Sequence, residues 1–222
     1  MQRGPNGNGL PVKSIAILIS GRGSNMQALI EAGLPLAIKA VISNRPNAKG
    51  LAIARSHGIP AHIVDHTQFA SRKDFDAALA TEIDALGADY IVLAGFMRVL
   101  SDDFVNRYPR RIINIHPSLL PSFPGLHTHE RALEAGVKIH GCTVHFVTRA
   151  LDHGPIIVQA AVPVSAHDDV NSLSARVLKE EHRVYVQALR WLAEGRVEFL
   201  PGDVVHIRNL PVVTGSLIAP KE

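Results

Sequence analysis

Apolar residues in this chain come in short unbroken runs. Between the runs they recur every three or four positions. "KSIAILIS" (13–20) is such a run, rich in Ile, and reads as a strand buried on both faces. "GRGSN" comes next, then "MQALIEAG", helical in composition and stopped at Gly33. The alternation repeats with "LAIKAVISN" (36–44) as a strand, "NAKGLAIARSHG" (47–58) as a helix ending in Gly58, and "PAHIVD" (60–65) as a strand. "SRKDFDAALATEIDALG" (71–87) opens on Ser71 as an N-cap, with Asp74 three residues on. Its apolar positions 75, 78, 79, 83 and 86 keep helical spacing and Gly87 ends it. "DYIVLAGF" (89–96) is the next buried strand.

The second half departs from this rhythm. "RRIINIH" (110–116) is a strand and "HERALEAG" (129–136) a short helix. "GCTVHFVT" (141–148) and "PIIVQAAVPV" (155–164) are strands joined by a loop that holds Asp152. "NSLSARVLKEEHRVYVQALRWLAEG" (171–195) is the longest helix, and strand fragments with a Pro-containing tail come after it. The pattern predicts an α/β fold, a mostly parallel twisted sheet with helices on both faces. Residues 13–222 are expected to form one domain, with a Rossmann-like half at 13–109 and a half at 110–222 that completes the sheet. Residues 1–12, "MQRGPNGNGLPV", read as a disordered lead-in without an apolar signal core. Ligands in such sheets sit beyond the carboxyl ends of the strands.

Composition narrows the classes. The 222 residues are 46% hydrophobic, enough for one sizeable core. The formal charge of +3 is spread along the chain. There is no Lys/Arg block for nucleic acid, and a mild positive field favours small anions. Cys142 is the only cysteine, so no disulfide forms within the chain, and it is expected as a small buried residue. No run approaches about 18 apolar residues, so no membrane span is expected. A cytoplasmic enzyme or binding protein is the expectation.

Two polar clusters fall at strand ends. In "SGRGSN" (20–25), Gly21 and Gly23 let backbone N–H groups approach a ligand, and Ser24 and Asn25 stand where a helix N-terminus favours an anion. Met26 replaces the third glycine of the dinucleotide motif and no Walker lysine is present. The loop therefore fits one phosphate, and equally a plain tight turn capped by Ser24 or Asn25. In "NIHPSLLPSFPG" (114–125), Asn114 and His116 share a strand face. An amide and an imidazole suit an oxygen that gains negative charge in acyl transfer, and Asp152 would orient the imidazole. Alone, the pair also fits a turn cap and a satisfied polar residue at a core edge. Pro117, Pro121 and Pro124 stiffen the loop beyond His116, and Pro121 is a candidate for a cis bond. Ser118 lacks a nucleophile elbow and is expected to bond backbone. His127, His129, His140, His145 and His153 lack metal-ligand spacing.

Taken together, "ISGRGSN", "VLAGFMRVLS", "NIHPSLLPSFPGLHTHERALEAG", "HGCTVHFVTRALDHGPII" and "ARVLKEEHRVY" resemble the phosphoribosylglycinamide (glycinamide ribonucleotide) formyltransferases of the folate-dependent formyltransferase family. The resemblance covers residues 13 to 200 or so. It implies transfer of a formyl group from 10-formyltetrahydrofolate, as co-substrate, to the amine of glycinamide ribonucleotide in purine synthesis, with no metal. It implies a ribonucleotide site at Gly23, Ser24 and Asn25 and at Leu178, Lys179, Glu180 and Glu181, with Glu181 as the substrate's partner. It implies a folate site at Arg72, at Met97, Arg98, Val99 and Leu100, at Asn114, and at Thr148, Arg149, Ala150, Leu151 and Asp152. The catalytic trio it implies is Asn114, His116 and Asp152. Asn114 and protonated His116 would donate to the oxyanion while Asp152 orients His116 and helps a proton pass. The partners it implies are these two small molecules, with no nucleic acid and no membrane, in a monomer or homodimer. His153 stands where the family commonly has Gly.

Methionyl-tRNA formyltransferases and formyltetrahydrofolate hydrolases share the same block. The former add a C-terminal tRNA domain and the latter an N-terminal regulatory one, and neither is expected here. A non-catalytic nucleotide-binding module would need only "GRGSN", and the trio argues against it.

Overall fold

Six side chains make up β1 (Ser14–Ile19), and all six are buried. Ile15, Ile17 and Ile19 pack on one face and Leu18 on the other, as the two-residue period of a strand requires. The computed structural model describes residues 12–211, 215, 217 and 219. The expected disorder of residues 1–12 lies outside them, apart from exposed Val12.

Six further strands join β1: β2 (Ala37–Ser43), β3 (Ala61–Ile63), β4 (Tyr90–Leu93), β5 (Ile112–His116), β6 (Ile139–Phe146) and β7 (Ile156–Pro163). They form one sheet in the order β3-β2-β1-β4-β5-β6-β7. The first five in sequence pair in parallel, and β6 and β7 are antiparallel additions. The sheet is thus mostly parallel, as expected. A separate hairpin, β8 (Val197–Leu200) with β9 (Val204–Ile207), accounts for the strand fragments near the C-terminus.

Helices cover both faces. α1 (Ser24–Glu31), α2 (Lys49–Ser56) and α6 (Val170–Ala193) contribute Met26, Leu51 and Val184 to one apolar layer. α3 (Arg72–Leu86) and α4 (Asp102–Arg107) contribute Phe75, Leu79 and Phe104 to the other. α5 (Thr128–Glu134) lies against α6. Ser71 caps α3 as its sequence suggests, accepting from the Asp74 backbone N–H at 3.1 Å. α4 was not expected. Its six residues are too short to show a period, and its signals are the Ser101 cap and two acidic residues in its first turn. α6 begins on a capping box, Asp169 with Ser172. Its buried Tyr185 hydroxyl lies 3.1 Å from the carbonyl oxygens of both Leu93 and Ile113. That contact ties α6 to the last residue of β4 and to the first half of β5.

Strand order runs outward from β1 through β2 to β3, then resumes on its other side at β4. The loops leaving β1 and β4 therefore diverge and open a crevice at their carboxyl ends. Ser20 bridges the two loops. Its N–H donates to Gly95 O at 3.0 Å, and its hydroxyl accepts from Met97 N at 2.8 Å and donates to Asn44 at 2.6 Å.

Cys142 sits in β6 with no exposed surface. Burial, with the Glu181 carboxylate adding to it, pushes its thiol up to about 12. The folded protein is expected to leave a thiol reagent unconsumed at mildly alkaline pH, and to react once unfolded in guanidinium. Rapid labelling of the folded protein would contradict this burial.

Candidate active site

The glycine loop turns directly from β1 into α1. Gly23 is the N-cap of α1 in the left-handed conformation, φ 77°, and no side chain caps the helix. A Cβ at Gly23 would lie 3.0 Å from the Cα of Gly50, so the first turn of α2 presses on the loop as only two glycines allow. Ser24 is the first helical residue. Asn25 does not cap. Its side chain is buried and donates to Glu181 Oε2 at 2.7 Å, across to α6. Asn25 Oδ1 is buried with no hydrogen-bond partner among the described residues. Burial pushes the Glu181 carboxyl up, and the bond from Asn25 opposes that rise.

β5 presents Asn114 and His116 from one face, as the two-residue step predicts. Asp152 comes from the β6–β7 loop, held with φ 54°. Its Oδ2 accepts from Gly125 N at 2.8 Å and lies 3.5 Å from His116 Nδ1. The side chains of His116 and Asp152 are 7% and 9% exposed, so their attraction is little screened by solvent. The other ring nitrogen of His116, Nε2, lies 3.0 Å from the carbonyl oxygen of Phe123, to which it donates. Both ring nitrogens thus face oxygen acceptors, the Phe123 carbonyl at Nε2 and the Asp152 carboxylate near Nδ1. In this arrangement the Nε2–H is taken by the Phe123 carbonyl.

The loop after β5 is fastened from several sides. Ser118 donates to the carbonyl of Ser122 at 2.6 Å, a backbone bond as expected. The Leu120–Pro121 bond is cis, also as expected. The Thr143 hydroxyl donates to Ser118 O at 2.7 Å and accepts from Leu120 N at 3.0 Å. Gln159 donates to Leu120 O at 2.8 Å. Sequence reasoning singles out neither Thr143 nor Gln159. They sit on β6 and β7 and are placed here by strand pairing, which no local pattern reveals.

All three residues of the trio line a cleft of about 610 Å³. Met97, Arg98, Val99 and Leu100 line it on one side, and Thr148, Arg149, Leu151 and Asp152 on another. Met97, Val99 and Leu151 leave more than half of their surface exposed at its rim. The Arg98 guanidinium lies over the Phe75 ring at 5.0 Å. Asn25 and Glu181 line it as well, as do residues 125–130 and Val170. Other expected site residues do not line the cleft. Arg72 is exposed in the first turn of α3, Ala150 is exposed on its loop, and Leu178, Lys179 and Glu180 stand aside while Glu181 faces in. Glu180 pairs with Arg183 instead. Gly23 and Ser24 lie outside the lining too, although Asn25 next to them is part of it.

Of the histidines weighed for a metal, His140 Nε2 meets His129 Nδ1 at 3.2 Å and His145 joins the Asn114 cluster. Among the described residues no group of three or more His, Cys, Asp or Glu side chains could hold a metal ion. Among them, too, no helix is long and apolar enough to cross a membrane.

Residues 13–189 match the formyl transferase family. The chain belongs to this family. It is 49% identical over 189 residues to phosphoribosylglycinamide formyltransferase of Escherichia coli K12, covering 83% of this chain and 89% of that protein. It is 50% identical over 195 residues to the trifunctional purine biosynthetic protein adenosine-3 of Drosophila melanogaster, where the match spans 85% of this chain and only 14% of the longer protein. Glycinamide ribonucleotide transformylase 1 of Symbiobacterium toebii superposes with a TM-score of 0.85 at 49% identity, covering 88% of this chain and 94% of that one. The formyltransferase match takes in the glycine loop, β5, the Asp152 loop and most of α6. Every wall of the cleft therefore falls inside the matched region.

Proposed function

We propose that this formyltransferase moves the formyl group of 10-formyltetrahydrofolate to the amine of glycinamide ribonucleotide, a step of purine synthesis. One observation carries the reading. Asn114, His116 and Asp152, from two separate segments, meet in a single cleft that also holds Asn25 and Glu181. The names of the Escherichia coli and Symbiobacterium relatives support the choice of substrates.

In this reading the ribonucleotide phosphate lies at the N-terminus of α1, against Gly23, Ser24 and Asn25. Glu181 receives the substrate from α6. The folate lies along the apolar rim of Met97, Val99 and Leu151, with the guanidinium groups of Arg98 and Arg149, both in the cleft lining, for its carboxylates. The uncharged amine attacks the formyl carbon and a new C–N bond forms. The formyl oxygen gains negative charge. Asn114 donates to it, and His116 turns its Nε2–H from the Phe123 carbonyl to the same oxygen. The bond from the formyl carbon to the folate N10 then breaks. The amine's proton passes to N10 through water, with Asp152 beside the path. Each donor to the oxyanion is worth about 10²–10³ in rate, or roughly 3–4 kcal/mol.

Purified protein given both substrates, with a chelator present, is expected to yield formylated ribonucleotide and tetrahydrofolate in equal amounts. Release of formate from the folate at a rate indifferent to the ribonucleotide would reject the transferase reading.

A further inference from the structure

Asn114 on β5 is the direct cross-strand partner of His145 on β6. His145 is 1% exposed and lines the cleft. Its Nδ1 lies 3.0 Å from the carbonyl oxygen of Phe146. A carbonyl only accepts, so Nδ1 carries a proton. In the neutral ring Nε2 is then a bare acceptor. Asn114 Nδ2 lies 3.3 Å from it. An acceptor can pair only with the NH₂ end of an amide, never with its oxygen. Two short links, Phe146 to His145 and His145 to Asn114, thereby decide which way the Asn114 amide faces. Its second N–H has no acceptor among the described residues.

The surroundings favour the neutral ring. Burial holds His145 below the usual imidazole range, and the nearby His116 adds to that. The Phe146 carbonyl and Asp152, whose Oδ1 lies 3.9 Å from Nε2, oppose it. A proton on Nε2 would set a donor against a donor and free the amide to turn.

We infer that His145 is a positioning residue for formyl transfer, which as the Nδ1–H tautomer locks the Asn114 amide with one N–H left to donate into the cleft. The inference rests on the proposed reaction and on Asn114 donating in it. Its role is distinct from that of His116, because it acts only through Asn114.

Nitrogen-15 NMR of the wild-type protein is expected to show His145 protonated at Nδ1 and bare at Nε2 near neutral pH. The opposite tautomer, or an imidazolium, would overturn the inference whatever the variants do. His145→Leu is expected to lower kcat about 10²-fold and leave both KM values within roughly twofold. His145→Gln keeps an acceptor in Oε1 and is expected to recover most of that loss. In an Asn114→Ala background, His145→Leu is expected to cost almost nothing more, since both changes remove the same donor. Losses that multiply in the double variant, or a glutamine variant no better than leucine, would overturn the inference while leaving the proposed reaction standing. If His145→Leu does not fold, the glutamine variant and the wild-type tautomer decide. A wild-type protein that transfers no formyl group overturns the proposed function, and this role with it.

Discussion

Asn114→Ala is expected to lower kcat by about 10²–10³-fold while the protein stays folded. The amide is the proposed donor to the formyl oxygen as that oxygen gains charge. The interaction is strongest at the transition state, so its loss falls on kcat and much less on KM. Stability should fall as well, though less. The change leaves the buried His145 Nε2 without its 3.3 Å partner, and an unpaired buried polar atom costs about 1–3 kcal/mol. His116→Ala should produce a loss of similar size. The double variant should be less impaired than the product of the two, because both donors serve one oxygen. Steady-state kinetics with both substrates, alongside thermal unfolding, checks this. A kcat within about threefold of wild type for Asn114→Ala would remove Asn114 from the proposed machinery.

Gly154→Ala is expected to cost more than about 3 kcal/mol of stability, and to abolish most activity. A Cβ at this position would lie 1.7 Å from the carbonyl oxygen of Phe146 and 2.8 Å from its carbonyl carbon. Both are backbone atoms at the end of β6, next to the bond between Phe146 N and Pro155 O at 2.9 Å. No side chain can swing aside to make room. The loop between β6 and β7 has to open instead. Asp152 lies two residues before Gly154 in that loop, and its carboxylate bridges Gly125 and His116. Moving the loop therefore breaks the trio as well as the strand pair. A melting temperature within a couple of degrees of wild type would show that the loop absorbs the methyl group.

The seven strands of the main sheet were legible as short local runs of apolar residues; β1, β4, β5 and β6 are buried almost throughout, whereas β3 and β7 are partly exposed. α3 was legible because Ser71, the apolar spacing and Gly87 all agree. α4 is too short to carry a period. The hairpin of β8 and β9 read only as fragments. In α6 the resemblance marked four consecutive residues, yet a helix turns each in a different direction. Only Glu181 shares the buried stripe of Val177, Val184 and Tyr185, and so it alone of the four lines the cleft.

The sequence by itself determined the layered α/β plan and the shared face of Asn114 and His116. It also determined the glycines that bring the first loop close to α2. These features come from the period of a strand, the period of a helix and the missing Cβ, all of which are local. Only the tertiary structure decided that His116 spends its Nε2 on the Phe123 carbonyl. It alone brought Asn25 to Glu181, set His145 opposite Asn114, and left Arg72 outside the cleft. Strand register sets His145 opposite Asn114, helix packing brings Asn25 of α1 to Glu181 of α6, and the fold of the loop after β5 turns the Phe123 carbonyl to His116; each depends on how whole elements meet, which no neighbouring residue reveals.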